Sequence, residues 1–421
     1  MTVLREAVGE MASATSRAMK IVLSHPHGNA NSYHAARAFA EANWLERFQT
    51  GIANPSAASR LLRFLPADLK QRSRNRRYAG IPEARKQSHL LWEGLARLGQ
   101  KLKPRGLTAA VNWYDVLYCG HDFQVAIAMA RNLDAVYAYE DGARRTFAAA
   151  RRSGIATLYE LPLGYYRGVA DEINRARKDR PHLQREVYAE PPWKQSRKDE
   201  ELRLAETIIV PCAWALDSLR FSHAGNKSVI KIPYGTPADE IVARSAPPAG
   251  PFTVLFAGHI GLRKGVPHLI EAWEKLQLKD ARLWLAGSLN LPEPYLREHA
   301  ASFEYLGALP QVELLERMRQ VDLLVFPSLA EGFGLVIGEA MACGVPVLTT
   351  VNTGGPELIE DGCQGWCVPA HAVAPLAERM EWAHAERQAL FEMGEHARRK
   401  AEQWTWSDYR QRLLAELTAH L

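Results

Sequence analysis

The sequence predicts an α/β protein made of two lobes, each with its own parallel sheet, and a cleft between them. Two observations lead to this class. From residue 115 onward, apolar β-prone runs alternate with helical stretches, which is typical of right-handed βαβ units. A proline-rich break at 246–251 separates two such series, and 421 residues, 47% of them hydrophobic, are enough for two cores of ordinary size.

The domain division follows from the same pattern. We predict an N-terminal extension without order at 1–18, a first lobe at 19–245, a linker at 246–251, a second lobe at 252–403 and a last helix at 404–421. The last helix carries an aromatic stripe that includes Trp406 and Tyr409, which predicts packing against a core.

In the first lobe, the loops between strands and helices carry the informative residues. The strands are predicted at 19–25, 116–119, 135–139, 155–161, 207–211 and 228–235, and the helices at 33–48, 123–132 and 143–152. Gly28 and Asn29 lie in the first of these loops, and His121 and Glu160 lie in later ones. Because ligands of open α/β sheets bind beyond the carboxyl ends of the strands, these four residues are candidates for the wall of the cleft or an acceptor site.

The interval from 55 to 104 is irregular, apart from a helical stripe of Leu91, Trp92, Leu95 and Leu98 that predicts core packing. Residues 60–86 mix basic and large apolar side chains. Two interpretations stay open: a surface that touches anionic lipid headgroups, or a solvated excursion. Nucleic acid is not an expected partner, because no binding motif or aromatic-basic interleaving accompanies the charge.

The second lobe repeats the alternation. Its strands are predicted at 252–257, 282–286, 303–306, 322–327 and 345–349, with a helix at 266–275. A glycine turn at 258–265 follows the first strand and places Arg263 and Lys264 near a helix N-terminus. Two cations at this position suit a diphosphate leaving group, whose negative charge grows as its bond breaks.

The stretch 328–346 joins a strand end, a glycine loop and a short helix predicted at 335–343. Gly332 and Gly334 allow close approach of the backbone to a ligand, and the helix N-terminus favours an anion. Glu331 and Glu339 bracket this anion site. A carboxylate is a good acceptor for paired hydroxyls, so Glu331 suits a sugar ring and Glu339 a ribose, which together predict a nucleotide-sugar site.

The run EGFGLVIGEAMACGVPVLTT, with its two glutamates, resembles the donor motif of the retaining GT-B glycosyltransferases of family four. The resemblance is close from 252 to about 369. It implies two Rossmann-like lobes facing across a cleft, with the second lobe on the donor side and the last helix returning to the first, acceptor-side lobe.

The resemblance also implies roles for individual residues. Arg263 and Lys264 would bind the donor diphosphate, Glu331 would contact the transferred sugar and Glu339 would hold the ribose, which makes Glu331, Arg263 and Lys264 the predicted catalytic residues. Amides near Gly332, Phe333, Gly334 and Leu335 would bind phosphate, and the stretch around Gly307 would face the base.

Two positions depart from the family pattern. His259 stands where many members carry the diphosphate arginine, so Arg263 takes that role here. Pro162 stands where many members carry a histidine near the reacting carbon, which leaves the catalytic residue of the first lobe open, with Glu160 as a neighbouring candidate.

These features predict a metal-independent hexosyltransferase that moves a sugar from a nucleotide diphosphate sugar to an acceptor hydroxyl in polysaccharide or glycolipid assembly. We expect no cofactor and no metal, because the chain has no D-x-D pair. Two alternatives stay open: a non-catalytic sugar-nucleotide-binding protein and a GT-B nucleotide-sugar epimerase. Five scattered cysteines and an N-terminus without an apolar segment predict a protein that is either cytoplasmic or peripheral on the inner membrane face.

Overall fold

The structure, a computed structural model, describes residues 19–53, 78–102, 112–183, 190–223 and 225–421. The predicted N-terminal extension at 1–18 and residues 60–77 of the basic interval lie outside these ranges. Within them, no helix is both long and apolar enough to cross a bilayer.

The first sheet has seven strands in the order β3-β2-β1-β4-β5-β6-β7. The strands are β1 (Ile21–Ser24), β2 (Leu45–Thr50), β3 (Lys86–Ser88), β4 (Ala135–Tyr139), β5 (Ala156–Glu160), β6 (Thr207–Val210) and β7 (Ser228–Lys231). β1, β4 and β6 are fully buried, as expected for parallel strands that are covered on both faces.

Helices connect these strands. They are α1 (Ala30–Glu41), α2 (Leu90–Leu102), α3 (Trp113–Ile127), α4 (Arg144–Arg152), α5 (Tyr166–Asp179), α6 (Pro192–Leu204) and α7 (Ala213–Ser218). Asn29 begins α1, because its side chain accepts a hydrogen bond from the Ser32 amide at 3.1 Å.

The second sheet has six strands in the order β10-β9-β8-β11-β12-β13. They are β8 (Phe252–Ala257), β9 (Ala281–Ala286), β10 (Glu304–Gly307), β11 (Leu323–Phe326), β12 (Val347–Thr350) and β13 (Gly365–Val368). Its helices are α8 (Val266–Leu276), α9 (Glu293–Glu298), α10 (Gln311–Met318), α11 (Leu335–Ala342), α12 (Gly355–Leu358), α13 (Val373–Ala385), α14 (Arg387–Glu402) and α15 (Trp406–His420). The predicted α/β class with two parallel sheets is confirmed.

The chain divides into two compact units, Met1–Ala138 with Arg145–Thr157 and Tyr139–Arg144 with Leu158–Leu421. The linker predicted at 246–251 lies between the last strand of the first sheet and the first strand of the second. The domain boundaries drawn from the sequence remain a prediction.

Three predictions for the first lobe are wrong. The helix predicted at 33–48 ends at Glu41, and residues 45–50 form β2. The strand predicted at 116–119 lies inside α3. Asn112 caps the start of this helix, because its side chain accepts a hydrogen bond from the Tyr114 amide. Four apolar residues fit a buried helix as well as a strand, so their pattern alone cannot choose between the two.

The third error concerns the apolar stripe of α2. Leu91, Leu95 and Leu98 are exposed by 63%, 39% and 57%, so they do not pack in a core among the described residues. Trp92 does pack, because its ring occupies the space beside Gly120 of α3. The opposite side of α2, with Glu93 and Ala96, is the buried one.

The C-terminal helix α15 begins with a capping box between Thr405 and Asp408. Its aromatic stripe is buried, as predicted, with Trp406 and Tyr409 both against the ring of Tyr234. Thr405 also forms a β-bridge with Thr236. Helix α15 is therefore fixed to the segment that follows β7.

Candidate functional site

Two loops leave neighbouring strands of the second sheet at their carboxyl ends. The turn 258–265 follows β8 and the loop 327–334 follows β11, and the two strands are adjacent. The amide of Leu329 donates to the Arg263 carbonyl at 2.8 Å, and Arg263 Nη1 donates to the Ala330 carbonyl at 2.8 Å. The parallel sheet thus brings the two predicted ligand loops together.

Glu331 forms ion pairs with both predicted cations. Its Oε2 accepts from Lys264 Nζ and lies 3.5 Å from Arg263 Nη1. Burial acts to raise the pKa of Glu331, but the charges of Lys264 and Arg263 outweigh it and hold the pKa below its ordinary value. The site therefore keeps one carboxylate ionised between two cations.

Lys264 has a second contact in the same place. Its Nζ lies 4.9 Å from the centre of the Phe326 ring, and Phe326 stacks on Phe256 of β8. The aromatic face holds the ammonium group beside Glu331 from the other side. Only 12% of the Lys264 side chain is exposed, so an anion that enters the site meets a cation with little water around it.

The loop around Gly332 is held by residues that follow β5 and β6. A Cβ at Gly332 would overlap the carbonyl oxygen of Pro162, and the Cys212 thiol donates to the Gly332 carbonyl at 2.6 Å. The Phe333 ring meets the edge of Tyr234 at 5.4 Å, and the Tyr234 hydroxyl donates to Glu160. The position of Glu331 therefore depends on this packing.

Helix α11 starts at this loop without a side-chain cap. Gly334, at φ 81°, is its N-cap residue, and no side chain accepts from the first turn at this position. A backbone in this left-handed region is adopted readily only by glycine, which explains why residue 334 is a glycine. The uncapped amides near Leu335 are available to an anion, as the sequence predicts.

Glu339 lies further along α11 and has a partner from α10. Gln311 Nε2 donates to Glu339 Oε1 at 2.8 Å. Burial raises the pKa of Glu339, and the hydrogen bond from Gln311 opposes this shift. Gln311 is not among the site residues predicted from the sequence. The available indication is that Gln311 begins a helix only four residues after Gly307, which is a predicted site residue.

The pKa of His259 lies below the ordinary value of a histidine. Burial lowers its pKa, and the nearby charges of Arg263 and Lys264 lower it further. Its Nδ1 lies 2.7 Å from the Ser288 hydroxyl. Although His259 occupies the position of a family arginine, the positive charge of this turn comes from Arg263 and Lys264.

Glu160 and Gly307 occupy different environments. Glu160 is fully buried and accepts a hydrogen bond from the Tyr234 hydroxyl. Because the Tyr234 ring contacts Phe333, this hydrogen bond supports the loop 327–334. Gly307 has a φ of 78°, and its carbonyl accepts from the Gly287 amide at 2.8 Å. Their roles toward an acceptor and a base stay predictions.

Gly28, Asn29 and His121 belong to the other compact unit. Gly28 has a φ of 56°, and a Cβ there would overlap the Tyr78 hydroxyl. His121 lies within α3 rather than in a loop; it is fully buried, and its Nε2 lies 3.0 Å from the Ser24 hydroxyl. Burial and three neighbouring histidines hold its pKa well below the ordinary range.

Residues 237–403 match the family described as Glycosyl transferases group 1. The match covers both ligand loops and the two glutamates. This part of the chain is therefore similar to the group 1 glycosyltransferases. The resemblance read from the donor motif is thereby confirmed.

Curated relatives agree with this similarity. The chain is 35% identical over 169 residues to a D-inositol 3-phosphate glycosyltransferase of Pseudarthrobacter chlorophenolicus, covering 38% of this chain and 40% of that protein. It is 29% identical over 172 residues to the putative colanic acid biosynthesis glycosyltransferase WcaL of Salmonella typhimurium, covering 37% and 42%. The matches span less than half the length of these two relatives.

Solved structures extend the likeness to nearly the whole chain. Sucrose-phosphate synthase from Thermosynechococcus elongatus has a TM-score of 0.62 and 17% identity, with 96% of this chain and all of that chain covered. Anabaena HepE in complex with UDP and glucose has a TM-score of 0.59 and 16% identity, with the same coverage. These likenesses show the fold, and the predicted GT-B class is confirmed.

Proposed function

We propose that this protein is a retaining glycosyltransferase that transfers a sugar from a nucleotide diphosphate sugar to an acceptor hydroxyl. The observation that carries the proposal is Glu331, held ionised between Arg263 and Lys264 beside an uncapped helix N-terminus, in the part of the chain that is similar to the group 1 glycosyltransferases. HepE, of the same fold, is a protein whose structure contains UDP and glucose. Retention of configuration rests on the family resemblance alone.

The proposed chemistry follows from the charges of the site. As the bond between the sugar and the diphosphate breaks, negative charge accumulates on the leaving group. Arg263, Lys264 and the first amides of α11 are fixed in advance and stabilise that charge. Glu331 accepts a hydrogen bond from a sugar hydroxyl and faces the positive charge that develops on the ring, while Glu339 accepts from the ribose.

A donor panel tests the proposal. The full chain is incubated with UDP-, GDP- and ADP-sugars and with lipid and oligosaccharide extracts, and release of the nucleoside diphosphate is measured. We expect one donor to be consumed, with faster consumption in the presence of an acceptor, and a product whose anomeric configuration by NMR equals that of the donor. Tight donor binding without turnover would contradict the proposal and favour a binding protein. Conversion of the donor to its sugar epimer without an acceptor would favour an epimerase.

We predict that turnover needs no divalent metal. The site provides two cations where metal-dependent enzymes place carboxylate ligands for a metal. EDTA should therefore leave the rate of nucleoside diphosphate release unchanged, whereas Lys264→Met should lower it with or without added Mg²⁺. Activity that is lost with EDTA and restored by a divalent ion would refute this prediction.

Gln311→Leu should weaken donor binding in a pH-dependent way. The hydrogen bond from Gln311 opposes the raised pKa of Glu339, so its loss raises that pKa further. A protonated Glu339 is a poorer acceptor of hydrogen bonds from the ribose hydroxyls. Donor KM should therefore rise as pH falls, and this rise should begin at higher pH in Gln311→Leu than in the wild type, with kcat nearly unchanged.

The control for Gln311→Leu is Glu313→Gln, an exposed change in the same helix turn. It should leave the pH dependence of donor KM as in the wild type. A fall in kcat at constant KM, or equal pH profiles for Gln311→Leu and the wild type, would remove Gln311 from the ribose side of the site.

We further propose that the first lobe contacts an anionic membrane and that the acceptor is carried on a lipid. The support is the exposed stripe of Leu91, Leu95 and Leu98 on α2, together with the basic and apolar residues at 60–86. An amphipathic helix of this kind buries its apolar face among headgroups while cations attract anionic lipids.

Leu91→Gln with Leu98→Gln should lower binding to phosphatidylglycerol vesicles at least about tenfold. Burying one leucine contributes roughly 1.5–3 kcal/mol, and about 1.4 kcal/mol corresponds to a tenfold change. Vesicle co-sedimentation measures the effect. Val242→Gln, at a valine that is 77% exposed elsewhere, is the control and should bind as the wild type does.

Replacing Arg72, Arg74, Arg76 and Arg77 by Gln tests the electrostatic part separately. This variant should lose the salt-sensitive fraction of vesicle binding while donor hydrolysis stays intact. If neither variant changes vesicle binding, a soluble acceptor becomes the better proposal.

A further inference from the structure

Helices α5 and α6 border an open cavity of about 450 Å³ that none of the roles above uses. Its lining includes Tyr166, Asn174 and Arg177 from α5 and Gln195 from α6, together with Glu190. This volume falls in the range of small-molecule sites, roughly 300–1,000 Å³. All of these residues belong to the compact unit that contains the loop 327–334, which we call the donor loop.

Arg177 brings unused hydrogen-bond donors to this cavity. Its Nη1 donates to Asn174 Oδ1 at 3.3 Å, whereas Nε and Nη2 are buried and have no partner among the described residues. These two nitrogens lie on the same edge of the guanidinium plane. A carboxylate or phosphate can accept from both at once, which is the arrangement that arginine favours for such groups.

Glu190 brings an unused acceptor. Its Oε1 accepts from Lys198 Nζ at 2.7 Å, and its Oε2 is buried without a partner within the ranges that the structure describes. Leaving a buried polar atom unpaired costs roughly 1–3 kcal/mol, and more if it is charged. A ligand hydroxyl would satisfy this oxygen, just as an anionic group would satisfy Arg177.

From these complementary groups we propose that the cavity binds a sugar or polyol that carries an anionic group, and that it is an acceptor subsite. The inference rests on the proposed function for its place in the reaction. The anionic group, a carboxylate or a phosphate, accepts from Arg177 Nε and Nη2, and a ring hydroxyl donates to Glu190. A neutral sugar can offer only hydroxyl oxygens to the guanidinium edge, without the negative charge and the bidentate geometry of a carboxylate or phosphate, and binds less well.

The chain connects this subsite to the donor loop over a short distance. Tyr166 follows Pro162 by four residues, which limits their separation to about 14 Å. The Pro162 carbonyl lies where a Cβ of Gly332 would be. The Tyr166 end of the cavity is therefore no more than about 14 Å from Pro162, a distance that an acceptor of a few sugar units spans.

Binding of three probes to the full chain, measured by calorimetry and saturation-transfer NMR, tests the subsite. Glucuronate presents the carboxylate, glucose 1-phosphate the phosphate, and glucose neither. We expect at least one of the two anionic probes to bind at least tenfold more tightly than glucose, and the tighter one identifies the anionic group. Glucose that binds as tightly as both would overturn the proposal.

Arg177→Met should lower the affinity for the tighter anionic probe at least tenfold. Arg175→Met is the matched control, because Arg175 lies on the same helix with its side chain 65% exposed and should have no effect. Ala170→Phe fills the cavity without changing its charge and should also abolish binding. Unchanged binding in both Arg177→Met and Ala170→Phe would overturn the subsite.

Donor hydrolysis by the same variants separates this inference from the proposed function. Arg177→Met should hydrolyse the donor at the wild-type rate, with donor KM unchanged, and should show a raised KM only for an anionic acceptor. Hydrolysis without probe binding overturns the subsite alone. If the wild type neither binds nor hydrolyses any nucleotide sugar, the proposed function fails, whatever the probes do.

Discussion

Glu331→Gln is expected to lower kcat about a hundredfold while donor KM changes only a few-fold. Losses of this size are typical when one preorganised electrostatic group is removed from an active site. The amide keeps the size of the side chain and one hydrogen-bond acceptor, but it removes the charge that faces the reacting sugar. Because the effect concerns the transition state more than the bound donor, it should appear in kcat.

Glu339→Gln is the matched comparison. It removes a carboxylate from the same motif, but one that we assign to the ribose, so it should raise donor KM and leave kcat nearly unchanged. Initial rates over a range of donor concentrations give both constants. Equal changes of kcat and KM in the two variants would contradict the separate roles proposed for these glutamates.

The pH behaviour of the two glutamates should also differ. Lys264 and Arg263 hold the pKa of Glu331 below its ordinary value, so its charge persists as pH falls through the range in which an ordinary glutamate titrates. Burial raises the pKa of Glu339, so this residue protonates first. On acidification, donor KM should therefore rise before kcat falls.

The residues of this candidate site can be predicted from the sequence because the signals for them are local. A buried strand, a glycine loop and a helix start follow one another between 322 and 343, and the parallel sheet places the 258–265 turn beside them. Arg263, Lys264 and Glu331 come together for that reason. Their ion pairing could not be read from the sequence, since it depends on side-chain conformations in a partly buried space.

The errors in the first lobe have physical causes of a different kind. Residues 45–50, LERFQT, contain residue types that favour a helix, yet they form β2 because pairing with β1 overrides propensity. Asn43, at φ 59°, marks the end of the preceding helix, and this was the available signal. The prediction of core packing for the stripe of α2 is wrong because periodicity finds an apolar face without revealing what covers it.

Contacts between residues far apart in the chain account for the rest. Gly338 weakens a helix by about 1 kcal/mol relative to alanine, and nothing near it in sequence explains the glycine. In the structure a Cβ at Gly338 would lie 3.0 Å from Thr236 Cγ2, so α11 packs closely on the segment after β7. Gln311 and Cys212 were missed as site neighbours for the same reason.

The loop at Gly332 provides the second large effect. Gly332→Ala should lower kcat/KM at least a hundredfold and reduce the free energy of unfolding by about 1–3 kcal/mol, the usual cost of overpacking. The added methyl group would overlap the Pro162 carbonyl and lie 3.0 Å from Leu163 Cα, and both are backbone atoms that cannot rotate away. The loop must shift, and Glu331, the adjacent residue, shifts with it.

Two other glycines calibrate the Gly332→Ala result. Gly94, inside α2, has open space where its Cβ would be, so Gly94→Ala should leave activity unchanged and stabilise the helix by about 1 kcal/mol. Gly338→Ala should fall between, because the atom nearest to its methyl group would be Thr236 Cγ2 at 3.0 Å, with Thr236 Cα at an ordinary contact distance of 3.5 Å. Melting temperature is measured by thermal unfolding, and kcat/KM is measured well below that temperature. Both should be lowest in Gly332→Ala, higher in Gly338→Ala and highest in Gly94→Ala. A Gly332→Ala enzyme with wild-type kcat/KM would show that the Pro162 contact does not position Glu331.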